Sequence, residues 1–324
     1  MKGDGFGTSE IAAFAARASF SGVPAATIDD LGEARVVIVG APFDWGASHR
    51  PGARFGPKAI RDVGYLGFDG YRPHLATGID SLSVLKVVDI GDLNLPPGYM
   101  DESLDRISAA IATIAQAGKI PMILGGDHTI TYANCRALAA VHGDFALIHF
   151  DAHADTGAGT IGGMPHSHGT PMRKLIEEGH VAGRRFVQIG LRGYWPEPET
   201  VAWMAEQGMR SYLMTDIVER GLGTVVDEAV AYATDGVDKA FLSVDIDVVE
   251  PAMAPGTGTP EPGGLLPREL MDTLRRLARN VNVIGADIVE VSPPYDGVGD
   301  VTALLANRLV LEILNGMAER RLAT

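Results

Sequence analysis

The stretch from Phe145 to Asp155, FALIHFDAHAD, carries an apolar run straight into three potential metal ligands at alternate positions, Asp151, His153 and Asp155. In an extended chain, residues i, i+2 and i+4 project to one side. The pattern predicts a strand end that aims two carboxylates and an imidazole at one point. SVDIDVVEP repeats the device with Asp245 and Asp247, and GGDHT places His128 directly after a third apolar run. Taken singly, an Asp-His after a strand reads as a helix cap or a turn, and Asp-x-Asp is common in acidic chains. Together they make four carboxylates and two imidazoles, a set too costly to bury without counter-ions. Two divalent cations would balance the carboxylates. Oxygen-rich ligation with two imidazoles suits Mn2+ and admits Ni2+, Co2+ or Zn2+.

These residues need elements that bring them together. Short apolar runs at 35–42, 84–91, 121–126, 145–150, 185–191, 209–214, 239–246 and 281–291 predict about eight strands. Helical stretches follow most of them, from Pro57, over 101–118, 129–141, 170–179, 198–208, 224–234, 267–279 and 301–320. The strands are continuous apolar runs, as expected when both sheet faces are covered. The expected fold is a single three-layer α/β/α sandwich with a mainly parallel sheet. Each ligand candidate then falls at a strand's C-terminal end, where open α/β sheets place their sites. Residues 1–34 read as an N-terminal extension with a short helix over 11–20, and 35–324 as one catalytic domain.

The 324 residues carry 27 basic and 41 acidic side chains, a net charge of -14. That lacks the basic footprint of a nucleic-acid or anionic-membrane partner and suits a cationic substrate. A single cysteine, Cys135, excludes an internal disulfide and sits in an expected helix as core. No secretory segment and no 18-residue apolar span is evident, so a soluble cytoplasmic protein is expected.

The order GGDH, DAHAD, SVDIDVVEPAMAPGTGTPEPGG and VEVSPPYD, with RPGARFGPKAIR at 50–61 and HGTP at 168–171, resembles the ureohydrolases. These include arginase, agmatinase, guanidinobutyrase and proclavaminate amidinohydrolase, and the agmatinase branch is the nearer match. The resemblance spans roughly 36–316. It implies a binuclear centre in which His128 and Asp155 complete one metal site, His153 and Asp247 the other, and Asp151 and Asp245 bridge. It further implies water activated between the ions to attack a guanidinium carbon, with urea and an amine as products. His168 would be the proton shuttle, in preference to His166, since an imidazole both takes and gives near neutral pH. Glu290 would hold the planar cation through paired N–H bonds, and Asp127 would orient a ligand histidine. A homo-oligomer, trimer or hexamer, is implied by the resemblance alone.

Agmatine is the default small guanidino substrate. Arginase commonly has an asparagine after DAHxD that helps recognise an α-carboxylate. Gly157 stands at that place here, which weakens an arginine-cleaving reading. Guanidinobutyrate, guanidine, and alkylated guanidines or biguanides remain open. Met164, Trp45 and the RGYW segment at 192–195 are candidate pocket walls. Trp195 could face a cation, and Arg192 could hold a substrate carboxylate. GAGTIG at 157–162 matches a dinucleotide fingerprint, but DAHADT separates it from the strand, so a loop over the site is expected. Two other classes compete. A single-metal deacetylase on a related fold predicts missing ligands, and all six candidates are present. A non-catalytic subunit of a hetero-oligomer would be free to lose them.

Overall fold

A computed structural model of the chain describes residues 19–65, 72–158 and 165–324. Its strands are β1 (Val36–Gly40), β2 (Val88–Asp92), β3 (Ile120–Leu124), β4 (Ala146–Phe150), β5 (Phe186–Leu191), β6 (Arg210–Leu213), β7 (Lys239–Asp245) and β8 (Asn282–Val289). The helices are α1 (Gly56–Asp62), α2 (Ser81–Val84), α3 (Met100–Gln116), α4 (Ile130–His142), α5 (Pro171–Glu177), α6 (Pro198–Glu206), α7 (Met214–Arg220), α8 (Leu222–Ala233), α9 (Pro267–Asn280) and α10 (Val301–Ala323).

All eight strands form one sheet in the order β2-β1-β3-β8-β7-β4-β5-β6, and every pairing is parallel. This is the expected α/β/α sandwich. The apolar strand runs are buried because helices cover both faces. One core layer sets Ile38, Ile148 and Leu242 against residues of α8, α9 and α10. The other sets Val37, Leu147 and Phe241 against α3, α4, α5 and α6. Alternation along each strand divides the two layers.

The chain order places the last two strands, β8 and β7, between β3 and β4. The four strands that precede the candidate site residues, β3, β8, β7 and β4, are thus consecutive neighbours at the sheet's centre. Their C-terminal ends open side by side at the reversal of strand order, the place where such sheets bind ligands.

Two helices were not expected. In α2, a single turn, Asp80 caps by accepting from the Ser83 N–H. In α7, which follows β6 directly, Asp216 accepts from the Leu213 N–H. Both are too short for a periodic signal. Helix α10 meets the length and hydropathy of a membrane span, against the expectation of none, but is mostly buried as a core helix. Residues 11–18 of the expected N-terminal helix lie outside the described residues, and Phe20 stands in a 3-10 helical turn. Met164 and 159–162 of the glycine-rich loop also lie outside them.

Candidate metal centre and substrate pocket

Strand alternation alone does not assemble the cluster. β4 ends at Phe150, so Asp151, His153 and Asp155 all lie beyond it. A turn takes over: the His153 N–H donates to Asp151 Oδ1 at 2.6 Å. β7 ends at Asp245 in the same way, and the Asp247 N–H donates to Asp245 Oδ1 at 2.8 Å. Asp155 then takes a left-handed backbone, φ +53°, a conformation that a short Asp tolerates better than a bulky residue does.

The six side chains converge. His128 Nδ1 lies 3.1 Å from Asp151 Oδ2 and 3.0 Å from both Asp155 Oδ2 and Asp245 Oδ2. His153 Nδ1 lies 3.0 Å from Asp247 Oδ2 and 3.5 Å from Asp151 Oδ1. Asp151 therefore offers one oxygen to each group and belongs to both clusters of potential ligand atoms. The His128 ring is oriented from behind by Ser243 Oγ, 2.9 Å from Nε2, which leaves Nδ1 for the cluster. Asp127 does not orient a histidine ring: its carboxylate accepts from the backbone N–H groups of Gly46 and Thr129.

The electrostatics fit cations. Burial, then Asp247 and Asp151, push Asp245 well above the usual carboxylate range. Burial opposes charge on Asp151, but His149, His128 and His153 outweigh it and hold it well below that range. Burial likewise opposes charge on the rings, yet the carboxylates raise His128 well above 6.5 and His153 to about 12. Such retained protons are what a bound metal displaces. Asp151 Oδ2 is buried and lacks a hydrogen-bond partner, as an oxygen suited to a metal ligand would be. The donor set fits divalent ions.

Beside the cluster, Glu290 Oε1 accepts from the His128 N–H at 2.9 Å and lies 2.9 Å from His168 Nδ1. Glu290 also has a left-handed backbone, φ +63°, so two of the candidate site residues occupy a region costly for ordinary side chains. Ser48 meets His168 Nε2 with both its N–H, at 3.1 Å, and its hydroxyl, at 2.6 Å. The N–H suits a neutral ring and the hydroxyl oxygen an imidazolium, so Ser48 can serve either state. Gly46 makes this approach possible. A Cβ there would meet Thr129 Oγ1 at 2.1 Å and the His168 backbone nitrogen at 3.0 Å.

Although burial opposes it, Glu290 first and then Asp127 raise His168 from 6.5 to about 9. Glu290 is lowered from 4.5, with His168 overcoming the opposing burial. A raised histidine stabilises the fold fully below its unfolded pKa and loses that contribution as pH rises through its folded pKa. A lowered glutamate stabilises above its unfolded pKa and loses that as pH falls. The pair therefore contributes most between about pH 4.5 and 6.5, on the order of 3 kcal/mol from the histidine. Thermal unfolding of chelated protein should show this stability decaying from about pH 6.5 to 9. His168→Asn should reduce that alkaline decay, leaving the share carried by the raised His128 and His153. An unchanged decay in the variant would assign it to other groups.

A cavity of about 430 Å3 opens over the cluster, lined by Ser48, His153, Asp155, His168, Trp195, Glu197, Thr259 and Glu290 among others. Trp195 stands at its edge, 39% exposed. A Cβ on Gly157 would meet the Gly169 carbonyl at 2.9 Å and Trp195 at 3.3 Å, so the wall has no room for a larger residue in this conformation. Arg192 is not in the lining. Its guanidinium donates to the backbone carbonyls of Gly190, Asp247, Val248, Val249, Glu261 and Pro262. It clasps the loop after β7 to the end of β5 and is not placed to meet a substrate carboxylate. Trp45 also lies elsewhere, bonded to Ser103 and stacked under Arg54. The His166 ring packs on Tyr132, with centroids 4.9 Å apart.

The sequence reading missed Ser48, Glu197 and His149. His149 Nε2 lies 2.8 Å from Asp151 Oδ2. Counting the alternation two residues back from Asp151 would have found it.

The sequence model of the Arginase family matches residues 34–315. Proclavaminate amidinohydrolase of Streptomyces clavuligerus is 41% identical over 86% of this chain and 87% of its own. Its solved structure superposes with a TM-score of 0.86 at 37% identity, covering 95% of this chain and 99% of that one. Guanidinopropionase of Pseudomonas aeruginosa is 38% identical over 96% and 94%. Agmatinase of Bacillus anthracis is 39% identical over 88% and 92%.

Proposed function

The chain belongs to the arginase family of guanidino hydrolases, and from that premise we propose that it cleaves agmatine to putrescine and urea. The observation that carries this reading is the charge of the pocket. Beyond the ligand candidates Asp155 and Asp245, the carboxylates of Glu197 and Glu290 line it, and among the described residues no lysine or arginine does. A dication such as agmatine suits Glu197 and Glu290, whereas a guanidino acid's carboxylate would find no lysine or arginine among the described lining residues. Trp195 adds an aromatic face to the same rim, and such faces favour cations.

His128, Asp151, His153, Asp155, Asp245 and Asp247 would hold two divalent ions, with Mn2+ the best match to four carboxylates and two imidazoles. Such ions polarise water and supply a nucleophile at neutral pH. The chain's own residues do the rest. Glu290, pinned by the His128 N–H, presents its other oxygen to the guanidinium. An incoming cation beside protonated His168 weakens that ring's hold on its proton. The departing nitrogen must gain a proton to leave as an amine, and His168 can give it. The Ser48 N–H can then satisfy the neutral ring.

A guanidino acid such as 4-guanidinobutyrate is the second reading, favoured by the guanidinopropionase relative. Urea release from agmatine, 3-guanidinopropionate, 4-guanidinobutyrate, arginine and guanidine, with Mn2+ or Ni2+, decides between them. A higher kcat/KM on a guanidino acid than on agmatine would overturn the assignment. No urea from any of them, with metal bound, would overturn the catalytic reading. Glu197 offers a finer check. Glu197→Gln should raise KM for agmatine about two- to fivefold, the scale of a solvent-exposed ion pair. It should leave guanidine, which has no second charge, unaffected.

A further inference from the structure

His149 poses a choice that its position does not settle. Its Nε2 is near enough to His128, Asp151 and Asp155 to join them as a ligand, and it lies 2.8 Å from Asp151 Oδ2. We propose that His149 is not a ligand but a positioning residue, fixed as the Nε2–H tautomer and holding the Asp151 carboxylate where the two groups of ligand candidates meet. The inference rests on reading the cluster as a metal centre and is independent of the substrate.

The argument starts on the neighbouring strand. The Gln188 amide nitrogen lies 2.6 Å from the Ala154 carbonyl oxygen. A carbonyl only accepts, so the nitrogen and not the oxygen of the amide must face it. The same nitrogen faces His149 Nδ1 at 3.2 Å. The Ser211 hydroxyl donates to the other end, Gln188 Oε1, at 3.1 Å. With its nitrogen placed, Gln188 donates to Nδ1, so Nδ1 carries a lone pair. A neutral imidazole then holds its proton on Nε2, and a protonated nitrogen has no lone pair to give a metal.

The contact with Asp151 is short, and Nε2 and Oδ2 are not aligned as a hydrogen bond, so the Nε2–H steadies the carboxylate through close electrostatic contact. The same oxygen lies 3.1 Å from His128 Nδ1. The ring has little freedom to swing away: it is fully buried between Phe186, 5.7 Å between centroids, and the His128 ring at 4.9 Å. A chain of polar groups therefore crosses three adjacent strands, from Ser211 on β6 through Gln188 on β5 to His149 on β4, and ends on the one carboxylate common to both clusters.

The test is 15N-histidine NMR on the whole chain, chelated and then loaded with 113Cd2+. His149 should show an unprotonated Nδ1 and a protonated Nε2 in both, with cadmium coupling at Nδ1 of His128 and His153 and none at His149. Coupling to His149 Nε2, or an Nδ1–H tautomer, would overturn the proposal. If cadmium does not bind, the metal-centre reading fails, while the chelated spectrum still decides the tautomer. A variant adds a second measurement. Gln188→Glu turns the donor at Nδ1 into an acceptor and should pull the proton to that side. Metal affinity should fall about 10- to 100-fold, the usual cost of an altered partner behind a ligand, with the tautomer reversed in the spectrum. Parent-like affinity in a folded Gln188→Glu protein would overturn the proposal, and if that variant does not fold, the parent's spectrum decides.

Discussion

Asp245→Asn should abolish urea release, by at least about a thousandfold, while leaving the chelated protein's stability within about 1 kcal/mol of the parent. The two halves have one cause. Burial and the charges of Asp247 and Asp151 push the Asp245 carboxyl well above its ordinary range, which favours its neutral form when no metal is bound. Asparagine copies a neutral carboxyl in shape, and its oxygen can still accept from the Asp247 N–H, as Asp245 Oδ1 does. Metal binding demands the ionised form, which asparagine cannot reach. Losing a shared carboxylate removes several kcal/mol of charge stabilisation, and about 4 kcal/mol is a thousandfold in rate. Elemental analysis after dialysis against Mn2+ should find fewer than two ions per chain. Added Mn2+ should raise the melting temperature of the parent and not of the variant. Two ions per chain with near-parent activity would remove Asp245 from the centre.

That prediction depends on details the sequence carried only in part. The fold was legible because continuous β-branched runs alternating with helices leave few alternatives to a covered parallel sheet. The convergence of the six ligand candidates was legible because ionisable residues crowded directly behind those runs, and the motif order resembled one family. The means of convergence was not legible. Alternation ends at Phe150, and an aspartate-based turn with a left-handed Asp155 completes the work. Arg192 looked like a substrate clamp because its type suits carboxylates. Only the path of the loop after β7 shows that backbone carbonyls surround it. Ser48 lies 120 residues from His168 in sequence and meets it only because Gly46 lets two loops touch. No local spacing encodes such a contact.

Glu290→Gln separates substrate capture from metal binding. The variant should lose about 30- to several-thousand-fold in kcat/KM, the 2–5 kcal/mol typical of truncating one member of a buried charge pair. Its metal content should stay at the parent value, because Glu290 meets the backbone N–H of His128 and the His168 ring, not the converging ligand atoms. The fold should survive: a glutamine oxygen can still accept from the His128 N–H, the bond Glu290 Oε1 now accepts. A second readout ties the loss to charge rather than shape. After opposing burial, Glu290 is the main reason His168 stands at about 9. With a neutral amide at 290, that support disappears and burial pulls the imidazole back towards or below 6.5. The alkaline decay of stability in chelated protein should therefore shrink in Glu290→Gln as it does in His168→Asn. Activity should separate the two variants. His168→Asn should lower kcat, by about 100- to 10,000-fold for a lost proton-transfer group, with a smaller effect on KM. Glu290→Gln should raise KM as well, since the residue holds the bound cation before any bond breaks. Parent-like KM in Glu290→Gln would mean that the guanidinium is held by another group. Glu197, the other lining carboxylate outside the proposed metal ligands, would then be the place to find it.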